Sequence, residues 1–220
     1  MPPNPTVLAF DTSAAHCAAA LLSDGQVIYR IDEMARGQAE HLMPMLEEIL
    51  NQQGLAWGDL DAIGVGIGPG NFTGIRISVS AARGLALGLG KPAIGVSTLE
   101  AQAYGLNGTV VSCLDARRDR AYVHVLGDIS TPRSPALCDL SAEELPSLNP
   151  KSDPKVVGDI ADKLAELKPW QQIEPKQTII EGIAHLATKR IHSTKERPAP
   201  LYIRAADATP PKDVPPTVIP

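Results

Sequence analysis

Val7-Leu8-Ala9-Phe10-Asp11 and Val111-Ser112-Cys113-Leu114-Asp115 end alike, each an apolar run closed by a carboxylate and followed by a polar or charged turn. The offset between them, 115 − 11 = 104, also carries Leu22 onto Leu126, inside a second strand-like run in each half. A repeat of this length reads as two like supersecondary units. Each unit opens with a buried strand that stops at an acid. Working outward from the first copy, Cys17–Leu22 and Gln26–Asp32 are two further strand-like runs. Asp24-Gly25 lies between them, the dipeptide of a tight hairpin.

The period then changes. Leu42, Met45, Leu46, Ile49 and Leu50 recur at spacings of three and four, which predicts an amphipathic helix over 39–53 stopped by Gly54, with Pro44 near its first turn. Residues 61–68 predict a buried strand, about 75–89 a helix, 93–97 a strand and 98–104 a helix. Meander, helix, strand, helix and strand in that order predict an α/β fold with mixed sheets flanked by helices. Past Gly127 the pattern weakens: short helices are expected over 139–145 and 159–167, a longer one over 175–192 and a terminal strand over 198–204. The expected organisation is a domain over 1–106, a smaller one over 107–204 and a mobile tail over 205–220, where five prolines fall in sixteen residues.

Composition narrows the function. With 44% hydrophobic and 20% charged residues the chain can build a core without disulfides or metals. The three cysteines, Cys17, Cys113 and Cys138, are scattered, which fits a reducing compartment and offers no metal spacing. The opening Met1-Pro2-Pro3-Asn4-Pro5 lacks the basic and apolar regions of a signal peptide. The apolar stretch 77–96 is broken by Arg83, Lys91 and Pro92, so it reads as a buried helix and strand. A cytoplasmic protein away from membranes is expected. Net charge is −5, and residues 1–106 hold five Lys or Arg against ten Asp or Glu, which argues against that half gripping a phosphate backbone unaided.

Asp11-Thr12-Ser13, at a strand end, has the groups to hold a magnesium-bound water or a phosphate, and equally the groups that turn and cap loops everywhere. Gly68-Pro69-Gly70-Asn71, leading through Phe72-Thr73-Gly74 into a helix, allows close backbone approach and offers free N–H groups to an anion, although it is neither a dinucleotide fingerprint nor a Gly-Lys-Ser/Thr phosphate loop. Asn71 or Thr73 serves as N-cap with or without a ligand. Arg76 sits in the first turn, against the helix dipole, a hint of an anion or acidic partner. Ser78, Ala81, Ala82, Gly84, Ala86 and Gly88 make a small-residue helix that packs closely, against its own neighbours or against another subunit. Around Asp115, the turn Ala116-Arg117-Arg118-Asp119-Arg120 puts bulky charges where a phosphate cradle wants glycines, so its arginines read as electrostatic contacts. His16, His41, His124, His185 and His192 include no HExxH and no helical i, i+4 pair, and no metal site is expected.

Asp11-Thr12-Ser13, the helix entry His41-Leu42-Met43-Pro44 and above all Gly68-Pro69-Gly70-Asn71-Phe72-Thr73-Gly74-Ile75-Arg76-Ile77 resemble the TsaB (YeaZ) family, which assists threonylcarbamoyladenosine synthesis at position 37 of tRNAs. Leu114-Asp115-Ala116-Arg117 and Tyr202-Ile203-Arg204 match later landmarks, so the resemblance spans about residues 6–204. It departs from the family pattern at Asn71, where Ser is usual, and at Ala39-Glu40. The resemblance implies a duplicated ribonuclease-H-like fold of the actin and hsp70 ATPase type, no catalytic residues, and a supporting role for the catalytic TsaD subunit, with the ATPase TsaE as a further partner. tRNA would be reached only through the complex, and the chain alone could form a homodimer. It implies no cofactor of the chain's own, with ATP or ADP held only weakly, at a partner interface. Asp11, Thr12, Ser13, Gly68, Pro69, Gly70, Asn71 and Asp115 are then the candidate nucleotide-loop residues. His41, Leu42, Met45, Leu46, Phe72, Thr73, Arg76, Val79, Ala82, Arg83 and Ala86 are the candidate partner interface, on helices 39–53 and 73–89. A self-sufficient ATPase or kinase using Asp11 and Asp115 is the alternative. A peptidase lacks both a metal set and an activated nucleophile.

Overall fold

In the first half, strand residues alternate between two faces that are both buried, so this sheet must be covered twice. Leu8, Phe10, Cys17, Ala19, Leu21, Ile63 and Val65 point to one side, and Val7, Ala9, Ala18, Ala20, Leu22, Ala62, Ile94 and Val96 to the other. The computed structural model describes residues 4–127, 133–194 and 196–203. In it β1 (Val7–Asp11), β2 (His16–Ser23) and β3 (Gln26–Glu33) form the expected antiparallel meander, turning through Asp24 and Gly25 at positive φ. β4 (Ala62–Gly66) and β5 (Ala93–Val96) add in parallel beside β1, giving the order β3-β2-β1-β4-β5.

The second sheet repeats this plan. β6 (Thr109–Asp115), β7 (Arg120–Gly127), β8 (Ala136–Asp139), β9 (Lys155–Gly158) and β10 (Gln171–Gln172) are ordered β10-β9-β6-β7-β8, with the same senses of pairing. Asp11 lies opposite Ala18 and Asp115 opposite Ala121, so the units are duplicated with the second turn one residue shorter. The offset of 104 holds for the first strands, and Leu22, opposite Val7, corresponds to Val125, opposite Val111, rather than to Leu126. The fold is a duplicated ribonuclease-H-like unit of the actin and hsp70 type.

α1 (Gln38–Gln52) and α2 (Phe72–Leu89) cover the first face of sheet one. α1 buries Leu42, Met45, Leu46, Ile49 and Leu50, as their spacing predicts, and Pro44 lies inside the helix, in its second turn rather than its first. α2 starts three residues before the expected Ile75 because Asn71 caps it, its Oδ1 accepting from the N–H groups of Thr73 and Gly74 at 3.0 Å each.

The last helices exchange sheets. α3 (Thr98–Gln102) follows sheet one but ties to sheet two, where the Gln102 amide donates to Ser112 Oγ at 2.9 Å and to the Val157 carbonyl at 3.0 Å. α5 (Ile179–Arg190) follows sheet two and lies on the second face of sheet one through Ile180, Ile183, Ala184 and Ala187. Small residues permit this approach: a Cβ on Gly64 would stand 2.9 Å from that of Ala187. Glu100 and Arg190 lock the crossing, Oε1 to Nη2 at 2.8 Å and Oε2 to Nη1 at 3.1 Å. Burial works against the Glu100 charge, but this pair prevails and holds the carboxyl below its ordinary range. The sheets therefore fall on either side of residue 106, while α5 returns from the second half to complete the first.

Two local expectations are corrected. No helix forms over 139–145: Cys138 pairs with Ala121 as an edge strand, and the chain then turns through Ser141. Residues 198–203 form no strand, only a strap in which the Leu201 N–H donates to the Ile67 carbonyl at 2.8 Å. Residues 205–220 lie outside the described residues. α4 (Ala161–Leu167) matches the expected short helix. Among the described residues, no helix is long and apolar enough to cross a membrane.

Ile183→Ala is expected to cost about 2–5 kcal/mol. Hydrogen exchange should then show loss of protection in β1 and β4 as well as in α5, although neither strand is changed.

Candidate functional site: an interlocked loop and an outer helical face

The turn after β1 is pressed against the entry to α2. Asp11, Thr12 and Ser13 are buried. Asp11 Oδ2 accepts from the Ser13 N–H (3.1 Å) and Ser13 Oγ (2.8 Å), with His16 Nε2 at 3.1 Å, while Thr12 Oγ1 donates to the Gly74 carbonyl at 2.7 Å. The Asn71 N–H donates to the Ser13 carbonyl at 2.6 Å. Glycine is required at this contact: a Cβ on Gly74 would stand 1.8 Å from the Thr12 carbonyl oxygen, one on Gly70 2.4 Å from that of Ser13, and one on Gly66 2.0 Å from Asp11 Oδ1. Gly68, at φ 91°, and Pro69 carry the chain into the turn and are buried. Ser78, marked in the sequence only as a small helix residue, donates from α2 to the Gly66 carbonyl at 3.3 Å.

The structure thus brings together Asp11, Thr12, Ser13, Gly68, Pro69, Gly70 and Asn71, and in doing so uses the groups a phosphate would need. The Ser13 donors go to Asp11, the Thr12 hydroxyl to Gly74, and the Thr73 and Gly74 N–H groups of α2 to its own cap. Asp11 Oδ1 is buried without a hydrogen-bond partner, facing the Cα of Gly66. His16, missed in the sequence, is charged more readily than an ordinary histidine: its hydrogen bond to Asp11 raises its pKa, burial opposes this, and the charges of Asp11 and Glu33 add to it.

Asp115 is exposed, and none of its described bonds reaches the Asp11 group. Its N–H donates to Asp159 Oδ1 at 3.0 Å and its Oδ1 accepts from the Arg117 N–H at 2.8 Å. Burial pushes the Asp159 carboxyl up, and the nearby Asp115 charge adds to the shift. Arg117, Arg118 and Asp119 follow in left-handed conformation, φ 62°, 54° and 53°. Such a run costs about 1–2 kcal/mol per residue without glycine, so the tight turn is built from charged side chains at some strain. Burial raises the thiols of Cys17 to about 11 and Cys113 to about 12, leaving them protonated and inert. Among the described residues no group of three His, Cys, Asp or Glu is placed to hold a metal ion.

The expected interface divides in two. Leu42, Met45, Leu46, Val79 and Ala82 are at most 3% exposed because they form the inner stripes of α1 and α2 against sheet one. They cannot meet a partner on the outer face. Phe72, Thr73, Arg76 and Arg83 are exposed and His41 and Ala86 half-buried, joined by Met43 and by Leu87, which is 81% exposed. His41 Nε2 bonds Asp32 Oδ2 at 2.7 Å, and Arg30 holds the Asp32 carboxyl below its ordinary range. A Cβ on Gly84 or Gly88 would meet nothing within 4 Å, so no contact among the described residues explains these helical glycines.

Two outcomes test these arrangements. Gly74→Ala should destabilise by about 1–3 kcal/mol through overpacking against Thr12, whereas Gly84→Ala, on the open face, should stabilise by about 1 kcal/mol; urea midpoints decide both. Because the folded-state pKa of His16 is raised, its ion pair contributes fully below about 6.5 and is lost as pH rises through the folded value. Unfolding free energy measured from pH 5.5 to 8.5 should carry that decline in the wild type and lose it in His16→Gln.

Residues 32–137 match the family model of TsaD, tRNA N6-adenosine threonylcarbamoyltransferase. The tRNA threonylcarbamoyladenosine biosynthesis protein TsaB of Escherichia coli is 40% identical over 121 residues, 53% of this chain and 52% of that protein, and TsaB of Haemophilus influenzae is 40% identical over 125 residues, 54% and 52%. The chain spans about half the length of these relatives. An uncharacterized protein of Mycobacterium tuberculosis is 30% identical over 215 residues, 93% of this chain and 94% of that one. Among solved structures, a Pseudomonas aeruginosa protein described as similar to the peptidase YeaZ superposes with a TM-score of 0.74 at 28% identity, over 91% of this chain and 100% of that one. YeaZ from the same organism gives 0.68 at 28%, over 84% and 93%. With the duplicated fold and the Gly68–Ile77 entry to α2 described above, these matches show that the chain belongs to the TsaB (YeaZ) family.

Proposed function

We propose that this chain is a non-catalytic subunit of the assembly that installs threonylcarbamoyl on N6 of adenosine 37 in tRNAs reading ANN codons, where it supports the catalytic TsaD subunit. The name carried by its 40%-identical relatives supports the pathway. The observation that carries the subunit role is the contrast between two neighbouring surfaces. At the β1 turn the Ser13 donors, the Thr12 hydroxyl and the Asn71 side chain are engaged within the chain, and Asp11 Oδ1 is sealed beneath Gly66. On the outer face of α1 and α2, Phe72 and Met43 are part-exposed at one end and Leu87 is 81% exposed at the other, where Gly84 and Gly88 flank it with open space above them. A large exposed apolar side chain flanked by helical glycines fits close approach by another helix.

In this reading TsaD docks on the outer face, TsaE joins the pair, and tRNA is met only through the complex, in the cytoplasm. ATP or ADP has a place only where a partner completes the site. The chain alone can pair with a second copy through the same helices. No described feature favours a self-sufficient ATPase or a peptidase.

Gly84→Gln and Leu87→Arg should leave the chain folded, since both positions are exposed among the described residues, yet abolish co-purification with TsaD and restore less than a tenth of tRNA threonylcarbamoyladenosine in cells lacking the native copy, read by nucleoside mass spectrometry. The isolated chain should hydrolyse no ATP with magnesium. Brisk hydrolysis would refute the non-catalytic reading.

A further inference from the structure

Arg76 is held in an unusual way for an exposed arginine. Its guanidinium carbon stands 3.6 Å from the centroid of the Phe72 ring, one helical turn earlier, and 5.9 Å from that of Tyr202. Its Nε donates to the Tyr202 hydroxyl at 3.0 Å, and the two rings lie 5.4 Å apart. Tyr202 arrives from the far end of the chain on the strap anchored at Ile67. Stacking plus a bond at Nε leaves the two terminal nitrogens as a forked pair of donors. Among the described residues they have no partner, and Arg76 enters no ion pair.

The helix makes this cation more conspicuous. α2 carries no acidic residue from Phe72 to Leu89, so nothing on it offsets Arg76 near its positive end. Arg83, exposed and without a described partner, follows seven residues later, about 10.5 Å along the axis and on nearly the same face. Between the two helices runs a groove of about 560 Å³ lined by Ala39, Met43, Phe72, Arg76, Ile77 and Ala81.

We propose that the Tyr202 strap is a built-in part of the docking face: it positions Arg76 so that its free fork receives a carboxylate from a helix of the catalytic partner, with Arg83 reading a second acid two turns away. This rests on the proposed docking of TsaD and adds the chemistry by which that helix is recognised. A planar guanidinium fixed by stacking gives up little conformational freedom on binding and pairs with a carboxylate through two bonds. A second copy of this chain is the rival occupant, since its α1 offers Glu40 and Glu47 at the same spacing. However, it would bring a first half with the same acidic excess, 10 − 5 = 5 charges, and long-range repulsion opposes that pairing.

The test measures affinity for purified TsaD by calorimetry with wild type, Arg76→Gln, Tyr202→Ala and the double variant, and self-association of each by sedimentation. Both sites are exposed, and unchanged circular dichroism and melting would confirm folding. Arg76→Gln should weaken binding about 30-fold or more and Tyr202→Ala about 2- to 10-fold. The double variant should be no weaker than Arg76→Gln alone, because Tyr202 acts only through Arg76. Tyr202→Phe should keep part of the effect through its ring. Additive losses, or unchanged affinity in Arg76→Gln while the wild type binds, would overturn the proposal and leave the docking reading standing, as would an effect confined to self-association. Failure of the wild type to bind TsaD would overturn both.

Discussion

The structure depends on a contact in which backbone meets backbone. The Thr12–Ser13 turn and the first turn of α2 lie so close that side chains are excluded at Gly70 and Gly74, and Gly66 gives way to the Asp11 carboxylate. Van der Waals exclusion sets this distance, and the Thr12, Ser13 and Asn71 bonds hold it. Once α2 is fixed there, Ile75, Val79 and Ala82 face the sheet, and Phe72, Arg76, Arg83 and Leu87 must face outward. The feature that looks most like a ligand loop in sequence is thus the clamp that aims a helix.

The two halves use one plan for different ends. In the first, the acid at the strand end is buried and bonded to Ser13 and His16. In the second it is exposed, bridged to the segment after β9, and followed by three left-handed charged residues. The first turn is closed by its own side-chain bonds, and the second sets Arg117, Arg118 and Asp119 where a cradle of backbone N–H groups wants glycines.

Period and punctuation made much of the first half legible. Continuous apolar runs marked β1 and β2, Asp24-Gly25 the turn into β3, and three-four spacing α1. The second half was less readable because its strands are short: β9 buries only Val156 and Val157 in its middle, and β10 is two exposed glutamines held by pairing to β9. The repeat, rather than local pattern, was the signal that could have located β8 to β10. At the site, glycine content announced close approach without naming what approached. The parts played by His16 and Ser78 became visible only when the chain closed on itself. The inner and outer residues of the two helices were merged in the sequence reading because an apolar stripe at helical spacing does not say which surface covers it.

The exchange of final helices sets an order on biogenesis. Sheet one is drawn from residues 7–96, yet the helix that covers its second face ends at Arg190. On a ribosome adding about 5–20 residues per second, that face waits about 5 to 20 s for its cover. During this interval a surface rich in alanine and valine lies open to solvent and to other nascent chains. Maturation of the amino-terminal half is therefore paced by completion of the carboxyl-terminal one, and a message truncated before α5 would release a polypeptide exposed to capture by chaperones or proteases.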